Sequence, residues 1–424
     1  MRRGFSVATV LTCFVALVAC GSGGSSTTDK ISLRMTIWSA NADHLALFNS
    51  LAAEYRKTHP TISKITFDPL PSDTYATALT TQIAGGKAPD LAWLSESQIP
   101  DFIAAKALFP LTPTFTKTSG YDFNDILPAA TRLWQSAGTL YAYPFSTSPF
   151  GIFVNTDLFR AAGQPTPAEL IASGRWNWQT AMAEASTIAA KTGKAGMVVR
   201  DFDYKNWDYL STIWIGWGAQ SWDADGKSCG FTQPEMVDAM TFIHDSIFTA
   251  KAMPSPGASA DFFAGDAAMT ITQISRASLL SGAKFGWDLV NLPTGPKGSY
   301  AVIGQGAMGV LQRGPHAQAA ADFLAFLTDP ANSAKLARFF PPPRQSMLTA
   351  ATLAATNPLI KPDQLQRVVI DGITSGVVRP SHTNGAELSQ KVRAALDPLW
   401  QPGADPGRVL AGVCTAIAPL LAKS

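Results

Sequence analysis

The stretch that decides the fold is Asp261-Phe262-Phe263-Ala264-Gly265-Asp266-Ala267-Ala268-Met269-Thr270-Ile271-Thr272-Gln273. Its apolar run at 267–271 is too short for most helices and follows a Gly-Asp turn signal, so it predicts a buried strand. The residues before the turn predict a short helix. Because open α/β sheets bind ligands at their strand ends, Thr272 and Gln273 are placed where ligand contacts are expected.

The N-terminal part of the chain alternates between the periodicities of strands and helices. Strands are predicted at 31–38, 62–67 and 91–94, and helices at 45–57 and 75–83. This βαβαβ order is typical of a parallel sheet that is covered by helices on both faces.

The first 30 residues have the pattern of a targeting signal. Two arginines precede an apolar run at 7–18 that is too short to span a bilayer, so residues 1–19 are predicted to be a signal peptide. Leu17-Val18-Ala19-Cys20 looks like a bacterial lipobox, which implies cleavage before Cys20 and acylation of its thiol. Residues 20–30 would then form a lipid anchor and a flexible Gly/Ser tether. A plain secretory signal with a chance cysteine is the alternative.

Charge and length narrow the class of protein. The chain has 33 Lys+Arg and 31 Asp+Glu, and loss of Arg2 and Arg3 with the signal peptide leaves equal numbers of the two signs. Binding to nucleic acid by phosphate neutralisation is therefore not expected. A mature chain of about 400 residues exceeds a single hydrophobic core, so two lobes are predicted.

Two cysteines, Cys229 and Cys414, remain after the signal-peptide cysteine and Cys20 are accounted for. In an oxidising exterior they could form a disulfide. Their spacing leaves the alternative of two separate buried thiols open.

Tryptophans and aspartates cluster at 201–222, including Asp201, Asp203, Trp207 and Asp208. Tryptophan faces stack on sugar rings, and carboxylates accept hydrogen bonds from hydroxyls. Packing in a core is the interpretation favoured for Trp214 and Trp217, as well as for Trp176 and Trp178. For Trp207 and Asp208 both a ligand contact and a core position stay open.

Several segments resemble the family 1 extracellular solute-binding proteins, the receptors of ABC importers. Besides 261–273, the resemblance depends on Ala88-Pro89-Asp90-Leu91, on 107–111, 138–145 and 301–306, and on Pro341-Pro342-Pro343-Arg344. These segments form an ordered series across residues 31–385.

The resemblance implies an α/β periplasmic-binding-protein-like fold of type II, with two lobes of mixed, mostly parallel sheet flanked by helices. Lobe 1 is expected to comprise 31–144 and 273–303, with a strand and turn at 285–296, and lobe 2 to comprise 145–272 and 304–424. Residues 138–145 and 301–306 correspond to crossings between lobes. The lobes would close over a ligand by hinge bending, as periplasmic binding proteins do.

The resemblance and the predicted strand ends together indicate a site for a sugar. Trp38 would stack on the ring, and polar side chains and glycine backbone would hold its hydroxyls. The predicted ligand-binding residues are Trp38, Ser39, Asn41, Asp43, Glu96, Ser97, Ser146, Thr147, Trp207, Asp208, Gln273, Gly304, Gln305, Gly306 and Asn384. The neutral net charge and the lack of an arginine cluster argue against a sugar phosphate.

The predicted function is that of an extracytoplasmic lipoprotein receptor, a monomer on the bacterial cell membrane that delivers a carbohydrate to the transmembrane permease subunits of an ABC importer. No cofactor or metal is implied, and no P-loop, GxSxG or HExxH motif supports an enzyme. The alternatives are a secreted glycoside hydrolase, which needs two carboxyl groups flanking one bond, and a surface carbohydrate-binding adhesin.

Overall fold

The structure is a computed structural model that describes residues 30–71, 74–200, 207–255, 257–258, 260–379 and 381–422. The predicted signal peptide, Cys20 and most of the predicted tether lie outside the described residues, as do Asp201 and Asp203. Within the described ranges, no helix combines the length and apolar character needed to cross a membrane.

The strands of the described residues are β1 (Ile31–Ile37), β2 (Ile62–Pro69), β3 (Leu91–Ser95), β4 (Gln135–Ser136), β5 (Thr139–Leu140), β6 (Ala142–Asn155), β7 (Ala195–Val199), β8 (Ala267–Gln273), β9 (Trp287–Val290), β10 (Val302–Val310) and β11 (Val377–Val378). The helices are α1 (Ala42–Thr58), α2 (Tyr75–Ala84), α3 (Ile99–Ala104), α4 (Thr112–Lys117), α5 (Pro128–Thr131), α6 (Thr156–Ala162), α7 (Pro167–Ala172), α8 (Trp178–Thr192), α9 (Ser211–Trp214), α10 (Pro234–Phe248), α11 (Ala317–Leu327), α12 (Pro330–Leu336), α13 (Ala350–Thr356), α14 (Pro362–Gln364), α15 (Asp371–Ser375), α16 (Gly385–Leu396) and α17 (Pro406–Leu421).

The predicted βαβαβ start of the chain is confirmed. β1 pairs in parallel with β2 on one side and with β3 on the other. Asn41 caps the N-terminus of α1, where its side chain accepts hydrogen bonds from the backbone N–H groups of Asp43 and His44 and so satisfies two of the helix's free donors. Its buried face, which includes Phe48, Leu51 and Tyr55, packs on the sheet.

The predicted strand after the Gly-Asp turn is also confirmed. Residues 262–264 form one turn of 3₁₀ helix, Gly265 takes a φ of 89°, and β8 follows. A positive φ of this size favours glycine, because a Cβ would clash with the backbone. β8 lies between β7, which is parallel to it, and β6, which is antiparallel. The strand is buried at every position except Gln273, as expected for a strand with neighbours on both sides.

Two long strands carry the sheet from one half of the molecule to the other. The strand order is β2-β1-β3-β10-β6-β8-β7, with β11 beside β10 and β9 beside β6. The first half of β6 pairs with β10, and its second half pairs with β8 and β9. All 14 residues of β6 are buried, as expected for a strand that runs through both halves.

Buried side chains of the described residues form three clusters, which define two lobes. The first lobe takes its core from residues within 33–145 and 307–340. The second lobe takes its cores from residues within 150–302 and 353–421. β6 and β10 connect the two, so the space between the lobes is bounded by the middle of these strands.

These cores differ from the expected lobe boundaries. The strand at 287–290, expected in the first lobe, pairs antiparallel with the second half of β6 and lies in the second lobe. α11, expected in the second lobe, packs in the first, where Phe323 contacts Tyr55 of α1 at a ring distance of 5.2 Å. The chain therefore returns to the first lobe only along β10, about 30 residues later than expected.

The second lobe contains a disulfide between Cys229 and Cys414, whose Cα atoms are 5.5 Å apart. Cys229 precedes α10, and Cys414 lies in α17. The bond joins positions separated by 185 residues, and so it closes a long loop that includes the return of the chain to the first lobe. Of the two alternatives left open by the spacing, the structure contains the disulfide.

Candidate ligand-binding cleft

A cleft of about 490 Å³ opens between the lobes, over the middle of β6 and β10. Eight of the predicted ligand-binding residues line it. They come from the end of β1 and the loop after it, from β6, from the end of β8 and from β10: Trp38, Ser39, Asn41, Ser146, Gln273, Gly304, Gln305 and Gly306. The strand-end prediction for Gln273 therefore agrees with its position.

Trp38 directly follows β1 and presents an aromatic surface to the cleft. Its ring is held edge-on against Tyr75 at 5.2 Å and against Trp93 at 4.9 Å. Tyr75 is itself fixed by hydrogen bonds of its hydroxyl to the carbonyl oxygens of Thr36 and Trp93, both 2.9 Å. The indole is thus oriented by its neighbours before any ligand arrives.

The glycines of β10 allow close approach at the floor of the cleft. A Cβ on Gly306 would lie 3.2 Å from Cζ2 of Trp38. A Cβ on Gly304 would lie 3.0 Å from Nε2 of Gln273 and 3.1 Å from the ring of Phe150. Both distances are tighter than ordinary packing, so a side chain here would displace the groups that face the ligand.

Gln305 lies between these glycines and already makes hydrogen bonds within the protein. Its side-chain oxygen accepts from Nε1 of Trp134 at 3.1 Å, and its amide nitrogen donates to the carbonyl of Ala130 at 3.1 Å. Its backbone N–H donates to Oε1 of Glu96 at 2.6 Å. A ligand contact of the Gln305 side-chain amide would therefore compete with two existing hydrogen bonds, and its backbone N–H is used by Glu96.

Glu96 and Asp208, both predicted to hold hydroxyls, are brought together by an arginine that sequence reasoning missed. Nη2 of Arg379 lies 2.5 Å from Oε2 of Glu96, and Nη1 donates to Oδ2 of Asp208. The guanidinium also packs over the rings of Tyr209 and Phe150. Arg379 directly follows β11, and only the fold brings that strand beside the loop after β3.

Burial shifts the protonation equilibria of this ion pair. Glu96 is 3% exposed, and burial raises its pKa to about 7 against the lowering influence of Arg379 and the Gln305 N–H. Burial alone would lower the pKa of Arg379, but Glu96 and Asp208 outweigh it and raise that pKa. The arginine therefore stays charged, and Glu96 exchanges its proton near neutrality.

Ser97 and Asn384 lie at a seam between the lobes and do not line the Trp38 cleft. The backbone N–H of Asn384 donates to Oδ1 of Asp101 in α3 at 2.6 Å. Ser97 borders a second groove of about 1010 Å³ between α2, α3 and α16. Asn384 adopts a left-handed conformation with φ of 59° and directly precedes α16.

Three further predicted residues lie away from the cleft surface. Trp207 is 4% exposed in the second-lobe core, where its ring stacks on Trp214 and its Nε1 donates to Ser389. Thr147 is 1% exposed, and its backbone N–H donates to the carbonyl of Pro341. Asp43 is exposed in the first turn of α1. The core alternative for Trp207 is therefore the one that the packing supports.

Two arginines line the cleft, contrary to the expectation that no arginines cluster at the site. Arg200 stacks over the ring of Tyr209 at 4.4 Å, and Arg276 stacks over Phe263 at 4.9 Å. They are 76 positions apart in sequence, so their common location was not visible in the net charge. The cleft therefore contains arginines that the net charge did not reveal, and the expectation of an unphosphorylated sugar stays a prediction.

With this geometry established, the sequence matches the bacterial extracellular solute-binding proteins over residues 40–334. The chain belongs to this family. The predicted family is thus confirmed, and the matched segment runs from the loop after β1 to α12 of this solute-binding protein.

Two curated relatives align with most of this chain. An sn-glycerol-3-phosphate-binding periplasmic protein of Pectobacterium atrosepticum is 24% identical over 368 residues, which cover 79% of this chain and 77% of the relative. An uncharacterised lipoprotein of Streptomyces antibioticus is 25% identical over 354 residues, covering 80% and 75%.

Among solved structures, an ABC substrate-binding protein of Listeria monocytogenes in complex with cycloalternan is similar to this solute-binding protein. Its TM-score is 0.79 at 22% identity, and the alignment covers 92% of this chain and 99% of that one. The predicted periplasmic-binding-protein-like fold of type II is confirmed.

Proposed function

We propose that this solute-binding protein is a lipid-anchored receptor that captures a carbohydrate between its two lobes and delivers it to the permease of an ABC importer. The observation that carries the proposal is the cleft at Trp38, where an oriented indole faces amide and hydroxyl side chains. An aromatic face suits the apolar C–H face of a sugar ring. Asn41, Ser39 and Gln273 supply donors and acceptors for its hydroxyls.

The position of the cleft between the lobes supports a closing mechanism. A ligand that contacts Trp38 of the first lobe and Gln273 of the second favours the closed arrangement only by its greater affinity for that arrangement. The closed receptor would dock on the permease, and ATP would be hydrolysed elsewhere. The protein would leave the sugar chemically unchanged, and as proposed it is not an enzyme.

The two cleft arginines favour a second ligand class, a phosphorylated polyol. Guanidinium groups recognise phosphate through charge-assisted hydrogen bonds. A relative whose name states that it binds sn-glycerol 3-phosphate adds to this alternative. Both classes fit a receptor, and they differ in whether the ligand's charge contributes to affinity.

Calorimetric titration with glucose, galactose, maltose, cycloalternan and sn-glycerol 3-phosphate tests the proposal. Saturable binding of a sugar, with no product detected by chromatography, is the expected result. Trp38→Ala should weaken that binding by about tenfold or more, since it removes the stacking surface. Binding of sn-glycerol 3-phosphate alone would support the second class, whereas hydrolysis of maltose or cycloalternan would contradict the receptor. Mass spectrometry of the mature N-terminus tests acylation of Cys20.

A further inference from the structure

Trp93 is a buried donor in the wall of the cleft. It borders the cavity, it is 1% exposed, and its Nε1 has no hydrogen-bond partner within the part of the chain that the structure describes. Its nearest rings belong to Trp38, Phe48, Phe145 and Phe340, none of which offers an oxygen acceptor. A buried N–H without an acceptor costs free energy, so such groups are rare unless a ligand or water completes them.

His44 supplies a second buried nitrogen in the same wall. Its Nδ1 lies 2.8 Å from Oγ of Ser39, and its ring packs against Phe339 and Phe340 at 4.7 and 4.8 Å. Its Nε2 is buried and, like Nε1 of Trp93, has no partner among the described residues. Burial lowers the pKa of His44 to about 4, against the raising influence of Asp43, so the ring is neutral near pH 7.

The two nitrogens belong to one aromatic surface. Trp93 and His44 both contact Phe340, at ring distances of 5.7 and 4.8 Å. Trp38, the proposed stacking residue, contacts Trp93 directly. An indole N–H can only donate, whereas the free nitrogen of a neutral imidazole donates or accepts, depending on the direction of the Ser39 hydrogen bond.

From this arrangement we infer that Trp93 Nε1–H and His44 Nε2 form a subsite that binds uncharged hydroxyl groups of the sugar held at Trp38. A hydroxyl is both donor and acceptor, so it satisfies either nitrogen. A carboxylate or phosphate would be desolvated against aromatic rings and a neutral imidazole, with no charge from either nitrogen to compensate. The inference rests on the proposed function, because it specifies which part of the ligand the first lobe recognises.

Trp93→Phe tests the subsite, because it keeps an aromatic ring and removes the N–H. The matched control is Trp214→Phe. Trp214 is also fully buried with an unpartnered Nε1 among the described residues, but it lies in the second-lobe core. Titration with the tightest-binding sugar of the five-compound series should show Kd raised about tenfold in Trp93→Phe and changed less than about twofold in the control. Equal affinities in the two variants would overturn the subsite.

His44→Phe tests the other nitrogen, and His59→Phe is its control. His59 stacks on Tyr55 at the end of α1, away from the cleft lining. The same sugar should bind His44→Phe about tenfold more weakly and His59→Phe with unchanged Kd. Monodeoxy forms of that sugar add a specificity readout: one of them should bind Trp93→Phe and the wild type with equal affinity. If every deoxy form loses the same factor in both proteins, the subsite is wrong.

A spectroscopic measurement keeps the inference testable if Trp93→Phe does not fold. In a ¹H–¹⁵N spectrum, the Trp93 indole signal should move on addition of the sugar, while that of Trp214 should stay in place. An unmoved Trp93 signal in a saturated complex would contradict the subsite alone. Absence of binding of all five compounds to the wild type would instead contradict the proposed function, and the subsite with it.

Discussion

Nη2 of Arg379, packed on aromatic rings of the second lobe, lies 2.5 Å from Oε2 of Glu96 in the first lobe. The same guanidinium holds Asp208 of the second lobe through Nη1. The pair therefore links the two lobes next to the cleft. Its exposure is low, 10% for Arg379 and 4% for the Glu96 side chain, so solvent screens it little.

Arg379→Met should lower the free energy of unfolding by about 3 kcal/mol, because removal of the arginine leaves the buried Glu96 carboxylate without its counter-charge. Urea denaturation followed by circular dichroism measures this change. Lys335→Met is the control, since Lys335 pairs with Glu54 at 3.1 Å in solvent and should cost less than about 1 kcal/mol. Similar losses in the two variants would show that Arg379 contributes no more than a surface pair.

The dependence of stability on pH should reflect the protonation of the Glu96 carboxyl group. Because burial raises its pKa from 4.5 to about 7, the folded protein binds this proton more tightly than the unfolded chain does. The corresponding stability is fully present below pH 4.5 and is lost as the pH rises to about 7. Melting temperatures between pH 4 and about 8 should therefore fall less steeply with rising pH in Glu96→Gln than in the wild type. Parallel profiles would exclude Glu96 as the titrating group.

Removing the disulfide should destabilise the protein without changing its affinity for the ligand. Cys229→Ser with Cys414→Ser should cost about 4 kcal/mol, since the bond joins positions 185 residues apart. The sugar affinity should not change, because neither cysteine lines the cleft. Treatment with dithiothreitol should lower the unfolding free energy of the wild type to that of the double variant. A stability unchanged by reductant would contradict a disulfide in the native protein.

Gly306→Ala should weaken sugar binding by about tenfold, because its methyl group would press on Trp38 and shift the stacking surface. Gly412→Ala is a suitable control. A Cβ on Gly412, in α17, meets no atom within 4 Å. Calorimetric titration should give wild-type Kd for the control. If Gly306→Ala also binds the sugar with wild-type Kd, then sugar binding does not depend on the present position of Trp38.

The chain order of the fold could be predicted because its signals are local. The period of two in β1, the Asn41 cap of α1 and the short apolar run of β8 each depend on neighbouring residues. Trp38 and Gln273, predicted as ligand contacts at strand ends, both lie at the cleft, because β1 and β8 run in opposite directions from the two lobes and both end at the middle of β6 and β10.

The remaining features depended on contacts between distant residues. Arg379 is 283 positions from Glu96, and no local pattern distinguishes it from a surface arginine. Nothing in the residues next to Trp207 and Trp93 shows which of them borders a ligand site. Trp207 fills the second-lobe core, whereas Trp93 borders the cleft. The lobe boundary near β10 differs from the prediction, because the strands with which a strand pairs decide its lobe. Those partners are not encoded in the strand's own residues.

The sequence by itself determined the family, the alternation of strands and helices and the strand-end placement of the polar groups, because each follows from the order and periodicity of nearby residues. Only the tertiary structure decided which charges meet between the lobes, which aromatic rings face the cleft and which buried nitrogens lack a partner. These properties arise where segments far apart in the chain pack together, and burial there changes both the pKa of Glu96 and the hydrogen-bonding capacity left for a ligand.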